Sequence, residues 1–174
     1  MTEPFQYPLL EDLPKNKELP FISYNDLILY MEKAIEAKGE DYVYPNLDSG
    51  CVYVAQGAPS CAVGFILDFA GIVDSTVWKA NPDVYPTWNS AGISALIEVV
   101  DGENVDCPAQ ALLATDIQGS AFLQTLQILQ DVKYPWKQAF DAAKACAEDH
   151  DKFERLAAEG PRPEDYPDLE AFFA

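Results

Sequence analysis

The sequence predicts a mostly helical α+β fold, a compact helical domain with a small two-stranded β element near residues 42-55. Apolar residues make up 49% of the 174 positions, enough to bury one sizeable core. Most of them recur at helical spacing. One aromatic and β-branched stretch between two such segments has instead the composition of strands.

The two predicted strands are residues 42–44 and 51–55. Pro45, Asn46 and Gly50 separate them, and residues of these types end strands and form turns. We therefore expect the two segments to pair with each other.

The first helix is expected to begin near Ser23, which can cap it, and to end at Gly39. A second helix, residues 61–70, follows a turn and can be capped by Ser60. It is apolar on nearly every side, so we expect it to be the central helix of the core. Because Gly64 within it costs stability relative to alanine, we expect another backbone to approach closely there.

Two further helices are predicted in the C-terminal half. Asp116 starts one, and Pro135 starts the other, which runs to about Asp149. The expected core cluster joins them to the second helix and contains Phe65, Ile66, Phe69, Leu126, Leu129, Trp136 and Phe140. Residues 91–100 fit either a helix or a strand with an Asp-Gly turn, and residues 106–114 are expected to form a short helix.

Three regions follow from this pattern. Residues 1–22 contain four prolines and are predicted to be an extended arm. Residues 23–150 are predicted to form a single globular domain. Residues 151–174 are predicted to be an acidic C-terminal tail.

The chain is strongly acidic, with 29 acids, 11 bases and a net charge of −18. The excess is spread along the chain, since residues 1–50, 51–147 and 148–174 each carry a net charge of −6. Such a surface repels nucleic acid and anionic membrane. It is typical either of a ligand for a basic protein surface, including a mimic of DNA, or of simple solubility in a host with an acidic proteome.

No apolar run approaches the roughly 18 residues that a membrane span needs. The N-terminus has neither the basic region nor the apolar region of a secretory signal. We therefore expect a cytoplasmic protein, in the host cytoplasm if it is phage-encoded, with no membrane partner.

The sequence contains no nucleotide-binding, metalloprotease, serine-hydrolase or calcium-loop motif, so no cofactor is predicted. Its four cysteines are irregularly spaced and its single histidine is His150. Because the ligand spacings of structural zinc sites are missing, no metal site is predicted. Cys61 is a candidate thiol nucleophile because it begins a helix, with His150 as the conventional base. The alternative is a buried structural thiol.

Asp68 is the third catalytic candidate, because it is the one charge on an apolar helix. Alternatively, it lies at the wet edge of that helix or pairs with Lys79 or Lys137. The predicted binding residues lie in the tail, where acids alternate with apolar side chains that either enter a partner's groove or pack on their own domain. They are Asp165, Tyr166, Leu169, Phe172 and Phe173.

Two segments carry a resemblance, GEDYVYPN…CVYVAQGAPSCAVGFILDFAG and LQDVKYPWKQAFDAA. They resemble a group of small uncharacterised actinobacterial and actinobacteriophage proteins with DYVY, CxYVxxGxPSCxVG and QDxGxPW motifs. The similarity covers about residues 24–71 and 126–145, and the chain departs from the pattern at Lys133, where glycine is usual, and at the more apolar residues 66–69. The resemblance implies a shared fold and an actinobacterial or phage cytoplasm, and no catalytic residues.

Two functions are consistent with these observations. The first is a non-enzymatic acidic protein of the phage-accessory or host-interaction type, which binds a protein partner with a basic surface and does not bind nucleic acid directly. The DNA mimic is a narrower form of it. The second is a small enzyme that uses Cys61 as a thiol nucleophile.

Overall fold

The computed structural model describes residues 19–45, 52–55, 57–74, 89, 91–101, 104–106, 108 and 111–161. The helices within these ranges are α1 (Tyr24–Lys38), α2 (Ala62–Phe69), α3 (Ile117–Asp131), α4 (Trp136–Glu148) and α5 (His150–Glu159). The strands are β1 (Val54–Ala55), β2 (Ala58–Pro59), β3 (Ile97–Asp101), β4 (Asn104–Asp106) and β5 (Leu113–Thr115). The fold is mostly helical α+β, which confirms the predicted class.

The small two-stranded sheet lies slightly later in the chain than predicted. β1 pairs with β2 in antiparallel register, with Val54 opposite Pro59 and Ala55 opposite Ala58. Residues 42–44 do not form the first strand, so that part of the prediction is wrong. The Tyr42 carbonyl instead accepts from the Trp136 amide at the start of α4.

A second sheet has the strand order β4-β3-β5. β3 pairs antiparallel with β4 and parallel with β5, and a short 3₁₀ turn, Ile93–Leu96, precedes β3. The strand interpretation of residues 91–100 is therefore correct for their second half. The short helix predicted over residues 106–114 is wrong, because its last residues belong to β5. Parallel pairing joins distant segments, so their local sequence does not reveal it.

α3 is the central helix of the core, because it contacts each of the other four described helices. Ile66, Leu126, Leu129, Trp136 and Phe140 lie together in the buried cluster, and Phe65 packs against it. Phe69 was also expected there, and this prediction is wrong: its side chain is 40% exposed. α2 has only eight residues, and its last turn emerges from the core.

One carboxylate connects the starts of two helices. Asp116 is the N-cap of α3, as predicted, and its Oδ1 accepts a hydrogen bond from the Gly119 amide at 2.6 Å. Its Oδ2 accepts from the Tyr24 amide at the start of α1, at 3.2 Å. Because helix starts leave amides without partners inside the helix, this single side chain stabilises both α1 and α3.

Both ends of the described chain pack against the domain. Ile22 donates its amide to the Ala114 carbonyl and Pro20 accepts from the Ala114 amide, each at 2.9 Å, so the end of the predicted arm lies parallel to β5. At the other end, α5 was not predicted, and its Leu156 is buried in the core. The division into arm, domain and tail stays a prediction.

Candidate functional site

The two segments that carry the resemblance meet at the start of α4. Pro135 offers this helix no side-chain cap. The Tyr42 carbonyl accepts from the Trp136 amide at 2.8 Å instead, and the Glu40 carbonyl accepts from the Lys137 amide at 3.2 Å. The Tyr42 and Trp136 rings meet edge to face with centroids 4.7 Å apart. Burial raises the pKa of Tyr42 above its usual value. This junction holds the loop after α1 against α4.

A polar contact joins the same loop to the small β sheet. The Tyr44 hydroxyl lies 3.3 Å from the Ser60 hydroxyl and accepts from the Val52 amide at 3.4 Å. Ser60 is not the cap of α2, contrary to prediction; Cys61 is, and its sulfur accepts from the Gly64 amide at 3.4 Å. The Cys61 sulfur therefore serves as the hydrogen-bond acceptor for an amide that has no partner within the helix.

Gly64 confirms the expected close approach of another backbone. A Cβ at this position would collide with the Tyr53 carbonyl oxygen and lie 2.8 Å from its carbon. The Tyr53 carbonyl also accepts from the Ser60 amide at 2.8 Å. Because glycine has no Cβ, α2 packs directly on the backbone of Tyr53, the residue that precedes β1.

Lys133 has a backbone conformation that favours glycine. Its φ is 74°, in the left-handed region. The lysine compensates through its side chain, because its ammonium donates to the Tyr44 carbonyl at 3.2 Å. The turn between α3 and α4 is thus tied to the loop that precedes the small sheet.

The two halves of the predicted thiol–imidazole pair occupy different environments. Cys61 is fully buried in the cluster that contains Val63 and Tyr53. The His150 side chain is 61% exposed at the start of α5, where its Nε2 lies 3.1 Å from a Glu154 carboxylate oxygen. A nucleophile must be reached by its substrate, and the Cys61 sulfur has no solvent access.

Asp68 lies half-buried near the end of α2. Of the two lysines predicted as its partners, Lys137 pairs with Asp141 at 2.9 Å, and Lys79 lies outside the described residues. The predicted binding residues of the tail also lie outside the described residues, and they stay predictions: Asp165, Tyr166, Leu169, Phe172 and Phe173.

The described surface includes a groove of about 390 Å³ along the outer face of α1. We call this the α1 face, defined by Asp26, Leu29, Tyr30, Glu32, Lys33 and Glu36. Leu29 is 55% exposed, so the groove offers apolar area to a partner beside the charged side chains. The sequence contained a signal for it, since Leu29 falls outside the apolar stripe of its helix.

The acids of the α1 face have no cationic partner among the described residues. Neither Asp26, Glu32 nor Glu36 forms an ion pair in the part of the chain that the structure describes. By contrast, Asp141 on α4 lies 2.9 Å from the Lys137 ammonium and 3.6 Å from the Lys144 ammonium. The α1 face therefore combines exposed apolar area with carboxylates whose charge is available to a partner.

Comparison with known proteins does not assign this chain to a family. No protein-family model matches it, and neither curated proteins nor solved structures include a significant match. Across the described ranges, no group of three or more His, Cys, Asp or Glu residues could hold a metal ion. Within those same ranges, no helix has both the length and the apolar character needed to cross a membrane.

Proposed function

We propose that this protein is a non-enzymatic acidic protein that binds a protein partner with a basic surface. The observation that carries the proposal is the net charge of −18, which favours association with positively charged surfaces and opposes direct binding to nucleic acid. The acids of the α1 face, which form no ion pair with any described residue, support it. The resemblance to actinobacterial and phage proteins supports a phage-accessory or host-interaction role in the cytoplasm.

Burial of Cys61 favours this proposal over the enzyme hypothesis. The thiol, which would have to attack a substrate, instead accepts a hydrogen bond from the Gly64 amide inside the core. The buried Gln130 side chain has a similar structural role, because its Oε1 accepts a hydrogen bond from the Ala62 amide at 2.8 Å. These polar groups stabilise the fold, and the charged groups with access to other molecules lie on the surface.

Affinity capture from an actinobacterial lysate tests the proposal. The tagged protein should retain a defined protein with a basic surface at low salt and release most of it at high salt, because screening weakens such contacts. An unrelated acidic protein of similar pI, about 4.1, controls for charge alone. Retention of the same proteins by both baits, or of none, would contradict the proposal. Release of the partner by duplex DNA would identify the DNA-mimic form.

A further inference from the structure

We propose that the α1 face is the docking site for a basic amphipathic segment of the protein partner. This inference rests on the proposed function and adds the place and the chemistry of the contact. A segment that carries lysine or arginine around one or two apolar side chains fits the groove, because Leu29 offers apolar contact and acids border it.

The geometry of α1 places these groups together. Leu29 and Tyr30 lie three and four residues after Asp26, and Lys33 lies four and three residues after them, which brings all four onto one side of the helix. Glu32 and Glu36 form a second four-residue step along the same groove. A helical face with this alternation is complementary to a partner helix that carries apolar anchors at similar spacing.

Charge decides which occupant fits. The α1 face has three acids and one base, and Lys33 already lies over the Tyr30 ring, 5.7 Å from its centroid. A second copy would bring the same acidic face opposite itself, which costs free energy. The chain's own residues 162–174 carry four acids and one base, so they are repelled as well. A basic segment from a different protein is attracted.

The contrast with α4 supports the site. Asp141 on α4 is neutralised by Lys137 and Lys144, so a partner would have to break existing ion pairs to use it. On the α1 face, Glu32 and Glu36 have no such ion pairs within the described part of the chain. Carboxylates whose charge is not satisfied within the protein are those that attract and orient a basic partner.

A peptide-binding experiment tests the site directly. The probe is a fluorescent amphipathic Lys/Leu peptide of about 18 residues, roughly five helical turns, titrated at about 50 and 150 mM salt. Two variants alter the α1 face, Leu29→Ser and Glu32→Gln/Glu36→Gln. Their matched controls lie elsewhere: Ile117→Ser, whose side chain is 41% exposed, and Asp101→Asn/Asp151→Asn, which removes two exposed acids of β3 and α5. Melting temperatures verify that all four variants fold.

Each α1 variant should weaken peptide binding by about five-fold or more, while its control changes affinity by less than about two-fold. Amide chemical shifts of the wild-type protein should change mainly along α1. Equal weakening by the control pair would overturn the inference, because it would indicate diffuse attraction by net charge. Failure of the wild-type protein to bind the probe, or binding that the α1 variants leave unchanged, would also overturn it.

Further measurements distinguish a basic partner from other occupants of the α1 face, and failure of the docking site from failure of the proposed function. A synthetic peptide of residues 162–174 should not bind the protein, and sedimentation should show no self-association that depends on Leu29. If either is observed, the α1 face has a different occupant and the inference is overturned. If the lysate partner is captured equally by wild-type and α1 variants, the docking site is wrong while the proposed function stands. If no variant or wild-type protein captures a partner, the proposed function itself fails.

Discussion

Replacing Gly64 with alanine tests the packing of α2 on the small sheet. Alanine is favoured over glycine by about 1 kcal/mol inside a helix, so propensity alone predicts a gain in stability. The added Cβ would lie 2.8 Å from the Tyr53 carbonyl carbon, whereas carbon atoms in contact prefer roughly 3.5–4.0 Å. The neighbour is backbone, so it cannot rotate away as a flexible side chain would.

Relief of this clash has its own cost. Moving the Tyr53 carbonyl would weaken its hydrogen bond with the Ser60 amide, worth about 1 kcal/mol. Overpacking of this kind costs about 1–3 kcal/mol, and the short contact places Gly64→Ala at the upper end. After subtracting the propensity gain, we expect a net loss of about 2 kcal/mol. For a chain of this size, that lowers the melting temperature by about 4–8 °C.

Gly92→Ala is the matched control. Gly92 has φ −62° and ψ 144°, which alanine adopts without strain, and the nearest atom to an added Cβ is the Ser94 hydroxyl oxygen at 4.0 Å. This variant should be neutral or more stable by about 0.4–1 kcal/mol, because alanine reduces the freedom of the unfolded chain. Both variants are measured by chemical denaturation. If Gly64→Ala lies within about 0.5 kcal/mol of Gly92→Ala, the close approach does not limit this position.

Four other substitutions give further predictions, each measured by chemical or thermal denaturation. Lys133→Met should lower the free energy of unfolding by about 1 kcal/mol, because it removes the hydrogen bond to the Tyr44 carbonyl. Lys133→Gly should be about 1 kcal/mol more stable than Lys133→Met, because glycine adopts φ 74° freely. Equal stabilities of the two variants would contradict this. Phe69→Ala should cost about 1–2 kcal/mol, since the residue is 40% exposed. A loss above about 3 kcal/mol would show that the Phe69 side chain is buried in the core. Asp116→Ala should cost about 2 kcal/mol because it removes two helix-start contacts, with Asp116→Asn intermediate. Burial, followed by the negative charge of Glu148, raises the pKa of Tyr24 from 10.0 to about 12, so the folded state holds the phenol proton more tightly than the unfolded state. The resulting contribution to stability is present below pH 10 and is lost as the pH rises towards 12. Tyr24→Phe should therefore make the loss of stability in this pH range less steep.

The sequence predicted the helices well where their signals are local. The Ser23 side chain accepts from the Asp26 amide at 3.2 Å, and Gly39 ends the helix with a φ of 100°, so both predicted ends of α1 are confirmed. Asp116 likewise begins α3 as predicted. Caps act within three or four residues, which is why their positions can be recognised without knowledge of the rest of the fold.

The errors in the predicted secondary structure and core arise where contacts between residues far apart in the sequence determine the structure. β5 is too short to be recognised alone, and its pairing with β3 brings together segments separated by a hairpin. Phe69 was assigned to the core because α2 is apolar on nearly every side, and such a helix has no pattern that identifies its buried face. Residues 42–44 have strand composition, yet the Tyr42 carbonyl accepts from the Trp136 amide, one of those left without a partner at the start of α4.

The same principle separates structural from functional polar groups. Cys61 was a candidate by residue type, but its sulfur accepts from the Gly64 amide at the start of α2, and the buried Gln130 side chain accepts from the Ala62 amide there. Once a buried group has this role, changing it for chemistry would leave an amide without a partner, which is costly. Glu32 and Glu36 have no such role, because their removal leaves no buried group unsatisfied. Residues of this second kind are free to be selected for binding, and on α1 they lie beside an exposed leucine.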